Sequence, residues 1–204
     1  MSHHIPHIFY INLDKRTDRR AEIEQELQQF NLYDKAERFP AIPVPNQGIL
    51  GCTMSHLAVL KLAKERKYKQ VLILEDDFFF TTTKEEFETH LTQFFEQVPI
   101  FDVCMISHHI QQSEPTPYPF LKKVIEAQTA SGYIVHESFY DTIIELYEEA
   151  VPRLRDTNQH WIYANDQIWK RIQPTANWYA MNPRCGKQRD GFSDNSNKFQ
   201  TYEC

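Results

Sequence analysis

Glu75-Asp76-Asp77 closes an apolar run, Gln70-Val71-Leu72-Ile73-Leu74, that reads as a buried strand. Carboxylates crowded at the end of such a strand repel one another and resist desolvation. A divalent cation is the simplest compensation. Hard oxygen ligands suit Mn²⁺ or Mg²⁺, which in turn suit a diphosphate. Ligands of open α/β sheets gather at this carboxyl edge. The tripeptide also fits a solvated turn or a helix start. Phe78-Phe79-Phe80 follows, however, so the acids lie inside an apolar stretch and need partners.

Two further sets of residues could do chemistry. Asn12-Leu13-Asp14-Lys15-Arg16-Thr17-Asp18-Arg19-Arg20 lies between a first strand and its helix, so it opens on the same sheet edge as the acids. Its arginines and a helix N-terminus make an anion seat, or simply a charged helix start with surface arginines. Asn165-Asp166 opens a later helix. Asp166 is either a cap or a general base held ionised by the helix dipole. Neither G-x-G-x-x-G nor G-x-x-x-x-G-K-[ST] occurs, so dinucleotide binding and a P-loop are unsupported.

The elements that must position these residues alternate in type. Residues 7–13 read as a strand, and Thr17 or Asp18 can cap the helix carrying Ile23, Leu27 and Phe30 on one face. Pro40, Pro43 and Pro45 make the next stretch extended or loop. Gly48 and Gly51 continue that loop, and Ser55 caps a second helix. Thr83 with Glu86 forms a capping box ahead of Phe87, Leu91, Phe94 and Val98. Residues 101–107 and 130–136 read as strands, 111–119 as a proline loop, 139–150 and 164–172 as helices. After Pro174 the chain is polar and regular structure is weak. Such alternation predicts an α/β fold, with a mostly parallel Rossmann-type sheet and helices on both faces. One domain over 1–204 is expected, with 175–204 a polar tail that closes over a ligand.

Composition narrows the class. The chain has 204 residues, 41% hydrophobic and 25% charged, with net charge −6. That argues against a general nucleic-acid binder. No apolar run approaches the roughly 18 residues of a membrane span, and the start lacks a signal-peptide core. A soluble, cytoplasmic protein is expected, with no membrane span. Cys52, Cys104, Cys185 and Cys204 are too dispersed for a disulfide framework or zinc knuckle. His3, His4 and His7 read as a polar terminus rather than a metal cluster.

The order of motifs resembles glycosyltransferase family 25, the lipopolysaccharide and procollagen galactosyltransferase group. The pieces are Tyr10-Ile11-Asn12-Leu13 with Arg16 and Asp18-Arg19; Gly51-Cys52-Thr53-Met54-Ser55-His56; and Leu72-Ile73-Leu74-Glu75-Asp76-Asp77. Ser131-Gly132-Tyr133-Ile134-Val135, Asp166-Gln167, and Pro183, Gln188 and Ser193-Asp194 complete the series. Together they run from about residue 7 to residue 195. The resemblance implies a GT-A-like fold, a UDP-sugar donor, a Mn²⁺ requirement with Mg²⁺ as the alternative, and inversion at the anomeric carbon. A hexose, with galactose favoured over glucose, would pass to a hydroxyl on a glycan or glycoprotein acceptor. By the same resemblance, Asp77 binds the metal, and Asp76 does so through water or holds an arginine. Glu75 faces the ribose. Leu13, Asp14 and Arg16 line the nucleotide. His56 touches the donor or packs beneath it. Asp166 deprotonates the acceptor, and Asp194 completes the metal or phosphate site. Two departures stand out: the chain is short, and no histidine follows His160 to serve as a late metal ligand. The alternative is a non-catalytic nucleotide-sugar or glycan-binding domain of the same fold. A metal-dependent phosphohydrolase would need a denser ligand set.

Overall fold

Strand β1 (Ile8–Asn12) shows how this sheet is covered on both sides. In the computed structural model, which describes residues 5–193 and 198–201, all five of its residues are buried. Ile8 and Tyr10 face one hydrophobic cluster, and Phe9 and Ile11 face another. β3 (Gln70–Glu75) lies parallel to β1 and alternates in the same way, Leu72 and Leu74 against Val71 and Ile73. A strand buried on both faces must be apolar throughout, which is why this run is unbroken.

Helices α1 (Thr17–Gln29) and α3 (Lys84–Gln97) supply Ile23, Leu27, Phe87, Leu91 and Phe94 to the first cluster. α2 (Gly48–Glu65) and α4 (Tyr140–Thr157) supply Val59, Leu60, Ile143 and Tyr147 to the second. The eight-stranded sheet runs β2-β1-β3-β8-β5-β9-β7-β6. Its other members are β2 (Ala36–Pro40), β5 (Val103–Met105), β6 (His109–Pro115), β7 (Leu121–Gln128), β8 (Gly132–His136) and β9 (Trp178–Met181). β8 and β7 run against the remaining strands, so the sheet is mostly parallel, as expected. β4 (Phe78–Phe80) pairs with β10 (Gly186–Gln188), and β11 (Gly191–Ser193) with β12 (Lys198–Gln200). No helix among the described residues is long and apolar enough to cross a membrane.

Local chemistry explains several boundaries. Thr83 Oγ1 accepts from the Glu86 amide at 3.2 Å and Glu86 Oε2 accepts from the Thr83 amide at 2.8 Å, the expected capping box. Other boundaries differ from the sequence reading. Arg16, not Thr17 or Asp18, is the N-cap of α1. α2 begins at Gly48, so Gly51 and Ser55 lie inside the helix rather than in a loop and at its cap. Gly51 is needed there by contact, because a Cβ would stand 2.4 Å from the Ile42 carbonyl oxygen. Ser55 Oγ accepts from the Ile42 amide at 2.8 Å and holds that same crossing.

Residues 111–119 are not simply a loop, because β6 occupies 109–115 and pairs with β7. β6 is one of the sheet's two edge strands, and its last residue, Pro115, breaks no inner ladder there. The polar stretch after Pro174 also holds regular structure, with β9 inserted between β5 and β7. The helix expected over 164–172 is split into α6 (Asn165–Ile168) and a 3-10 turn, Trp169–Arg171.

His108, after β5, ties two strands together. Its Nε2–H donates to the Met181 carbonyl at 2.9 Å, and burial pushes its pKa down to about 4. Between that value and the ordinary 6.5, the unfolded chain binds a proton that the folded chain refuses. Stability therefore falls as pH drops through this window. Relative to His108→Gln, the native chain should lose about 2 kcal/mol more between pH 7 and pH 4.5. Paired urea titrations check this, and parallel losses in the two proteins would refute it.

Candidate functional site

The acids at the end of β3 part company by strand geometry. Side chains alternate across a strand. Ile73 faces the α2–α4 side, so Glu75 does too; Leu74 faces the α1–α3 side, so Asp76 turns toward α1.

On the α2 side, Glu75 Oε1 accepts from His56 Nε2 at 3.0 Å and from the Cys52 thiol at 3.6 Å. Cys52 and His56 are one helical turn apart and share a face. A carboxylate can only accept, so Nε2 carries the His56 proton and Nδ1 accepts from the Tyr133 hydroxyl at 2.8 Å. His56 is fully buried, with both nitrogens engaged. Burial works to raise the Glu75 carboxyl, but the hydrogen bond from His56 holds it below its ordinary value.

On the α1 side, Asp76 Oδ2 accepts from Asn12 Nδ2 at 2.7 Å, and Oδ1 accepts from Arg19 at 3.1 Å. The same Arg19 nitrogen donates to Asp77 Oδ2 at 3.0 Å. Arg38, on β2, completes the lattice by donating to Asn12 Oδ1 at 2.9 Å and to Asp14 at 2.6 Å. The three arginines of the α1 start therefore all meet carboxylates of the chain: Arg16 meets Asp18, Arg19 meets Asp76 and Asp77, and Arg20 meets Glu24. Leu13 lies in the turn, its carbonyl accepting from the Arg16 amide at 2.9 Å.

Asp77 is buried and imperfectly satisfied. Its Oδ1 has no hydrogen-bond partner among the described residues. Burial, and then the charge of Glu75, push its carboxyl up to about 7. The β4–β10 pairing sets Gln188 opposite Phe78, and its carboxamide partly offsets the upward push by hydrogen bonding toward the Asp77 carboxyl, though not with the geometry that would satisfy Oδ1. An orphaned buried carboxylate oxygen fits a hard cation. Arg19 already supplies part of the compensation for which the sequence suggested a metal. Cys52, His56 and Glu75 also place three donor atoms within 4.8 Å of one another. That set suits Mn²⁺ or Mg²⁺ poorly, because burial and then Glu75 push the thiol well above its ordinary pKa and a neutral thiol is a weak ligand.

A cavity of about 500 Å³ opens where β3 ends and is lined by Glu75, Cys52, Gln128, Thr129, Asn165, Asp166 and Gln188, among others. Its size is that of a small-molecule site. Asp166 Oδ2 accepts from the Thr129 amide at 3.1 Å, and Oδ1 accepts from Gln167 at 3.3 Å. Thr129 has φ 82°, which a β-branched residue adopts only when its surroundings hold it there. Burial, and next the charge of Glu75, raise the Asp166 carboxyl. The Asn165 amide donates to Thr53 Oγ1 at 3.2 Å, which fixes α6 on α2. Of the residues singled out from the sequence, the structure brings Glu75 and Asp166 to one cavity. Leu13, Asp14 and Arg16 gather with Asp76 and Asp77 around the α1 start, outside its walls. Asp194, His3, His4 and Cys204 lie outside the described residues.

Sequence reasoning gave no role to Cys52, Tyr133, Arg38 or Trp161. The four-residue spacing of Cys52 and His56 was a readable signal for a shared helix face. Arg38 and Trp161 gave none.

Comparison with known proteins adds independent observations. A sequence model described as "Glycosyltransferase family 25 (LPS biosynthesis protein)" matches residues 46–161. A protein of Drosophila pseudoobscura pseudoobscura called "Glycosyltransferase 25 family member" is 30% identical over 103 residues, 37% of this chain and 16% of that protein. "Putative glycosyltransferase R655" of Acanthamoeba polyphaga mimivirus is 32% identical over 106 residues, 42% of this chain and 32% of that protein. This chain thus spans less than a third of the length of either curated relative. Among solved structures, "a glycosyltransferase involved in the glycosylation of the major capsid of PBCV-1" superposes with a TM-score of 0.51 at 11% identity. That likeness covers 85% of this chain and 79% of the other, and it speaks to the fold.

Proposed function

We propose, from the premise that this chain belongs to glycosyltransferase family 25, that it is a metal-dependent inverting transferase. It would move a hexose, galactose in the first instance, from a UDP-sugar to a hydroxyl of a glycan or glycoprotein. The observation carrying this reading is the pair of carboxylates, Glu75 and Asp166, on one cavity at the carboxyl end of β3.

Asp166 is the base. Its raised carboxyl is a better proton acceptor than an exposed aspartate, and its hydrogen bonds to Thr129 and Gln167 fix its aim. It takes the acceptor's proton on the face of the sugar opposite the departing UDP, which inverts the anomeric centre. Glu75, braced by His56 and Tyr133, stays ionised and accepts from donor hydroxyls. Asp77, with Asp76 beside it, would hold Mn²⁺, which when bound offsets the charge developing on the leaving diphosphate. Arg19 keeps both carboxylates in place.

Thermal shift against UDP, UDP-galactose and UDP-glucose, with and without Mn²⁺, tests the donor assignment. Saturation at about 100 times Kd adds roughly 2.7 kcal/mol, a rise of roughly 5–10 °C for a domain of this size. Stabilisation is expected only with Mn²⁺ present, together with sugar release in a hydrolysis assay. Binding without any transfer or hydrolysis across an acceptor panel would instead favour the non-catalytic alternative.

A further inference from the structure

Trp161 is 62% exposed, whereas Trp169 and Trp178 are fully buried. An indole left in water forfeits a large burial gain, and one that lines a cavity offers a ligand a flat apolar face. It sits on the short helix α5 (His160–Tyr163) at the wall of the Asp166 cavity, with the His160 ring packed edge-on at 5.2 Å. Next to it the wall changes character. Gln128, Gln167 and Gln188 line the cavity, and Gln167 Nε2 donates to Gln128 Oε1 at 3.2 Å, so those carboxamides are held in mutual order.

The charge of this wall excludes one class of ligand. Glu75 and Asp166 are both anionic when ionised, and among the described residues the lining contains no lysine or arginine. A diphosphate without a cation to neutralise it would be repelled from this wall. A hydrocarbon would strip water from these carboxamides and carboxylates and offer no further hydrogen bonds in return. A neutral polyol meets both demands. A pyranose ring presents a flat C–H face to an indole and a rim of hydroxyls to carboxamides and carboxylates.

We infer that the Trp161 side of this cavity is a saccharide subsite, in which the acceptor's terminal pyranose stacks on the indole and turns a hydroxyl toward Asp166. The inference takes Asp166 as base from the proposed transferase reading, but its test does not depend on turnover.

Because the other two tryptophans are buried, red-shifted emission reports Trp161. The probes are methyl β-galactopyranoside, methyl β-glucopyranoside, lactose and a hydroxylysine-containing peptide. At least one saccharide should quench and blue-shift the emission saturably. Trp161→Ala should weaken that saccharide about tenfold by calorimetry, and Trp161→Phe should keep it within about threefold, since a smaller ring still stacks. The UDP-sugar thermal shift should be the same in all three proteins. Emission unmoved by every saccharide, an unchanged affinity in Trp161→Ala, or a response to the peptide alone would overturn the subsite. Saccharide binding that persists in a protein with no transfer would retire the transferase reading and leave the subsite standing.

Discussion

Asp166→Asn should lower kcat for sugar transfer by about 10²- to 10⁴-fold, the usual contribution of a positioned base. Asparagine keeps the shape and can still accept from Thr129, so donor and acceptor binding should change little. The measurement is a kcat against KM comparison at saturating UDP-sugar and Mn²⁺. The pH profile adds a second, independent readout. As the proposed base, Asp166 would work only when deprotonated, so the native rate should rise with pH through a pKa above 3.8, raised by burial and then by Glu75. Glu75→Gln removes a negative neighbour, which should move that rising limb to lower pH. A native profile unchanged in Asp166→Asn would place the base elsewhere.

Asp77→Asn should separate activity from stability. With the proposed cation ligand gone, transfer should fall by about a thousandfold or more. The fold should survive, and without divalent metal it should be firmer at alkaline pH. The sign follows from linkage. Asp77 has a folded pKa of about 7 against 3.8 for an ordinary aspartate, so the folded chain binds the extra proton between those values. Native stability therefore falls as pH rises from about 4 to 7 and stays low above that. Asparagine cannot ionise and escapes the loss. At pH 8 the variant should be more stable by about 2–4 kcal/mol, a gain that shrinks toward pH 5. Mn²⁺ should stabilise the native protein and not the variant. Urea midpoints at the two pH values, with and without Mn²⁺, are decisive. Equal stabilisation of both proteins by Mn²⁺, or full activity in the variant, would rule out Asp77 as the ligand.

The candidate site was partly legible before the fold was known. Glu75-Asp76-Asp77 announced itself because three carboxylates ending an apolar run contradict ordinary burial. Asp166 was visible as an acid opening a helix. Their partners were not. Arg38 lies 26 residues from Asn12, and Arg19 lies 57 from Asp76, so no local pattern links them. Edge strand β6, with its closing proline, read as loop because its outer side needs no hydrogen bonds. Strand β9 was hidden because four apolar-leaning residues sit within a polar stretch.

What the amino-acid order determined by itself was periodicity: two-sided apolar strands, one-sided helices, and charged residues stranded at their ends. Tertiary packing alone decided which acid met which partner. Alternation along β3 sends neighbouring carboxylates to opposite faces of the sheet, one toward His56 and a cavity, the other toward Arg19. Local sequence carries the alternation, but only the packed helices α1 and α2 supply what waits on each side.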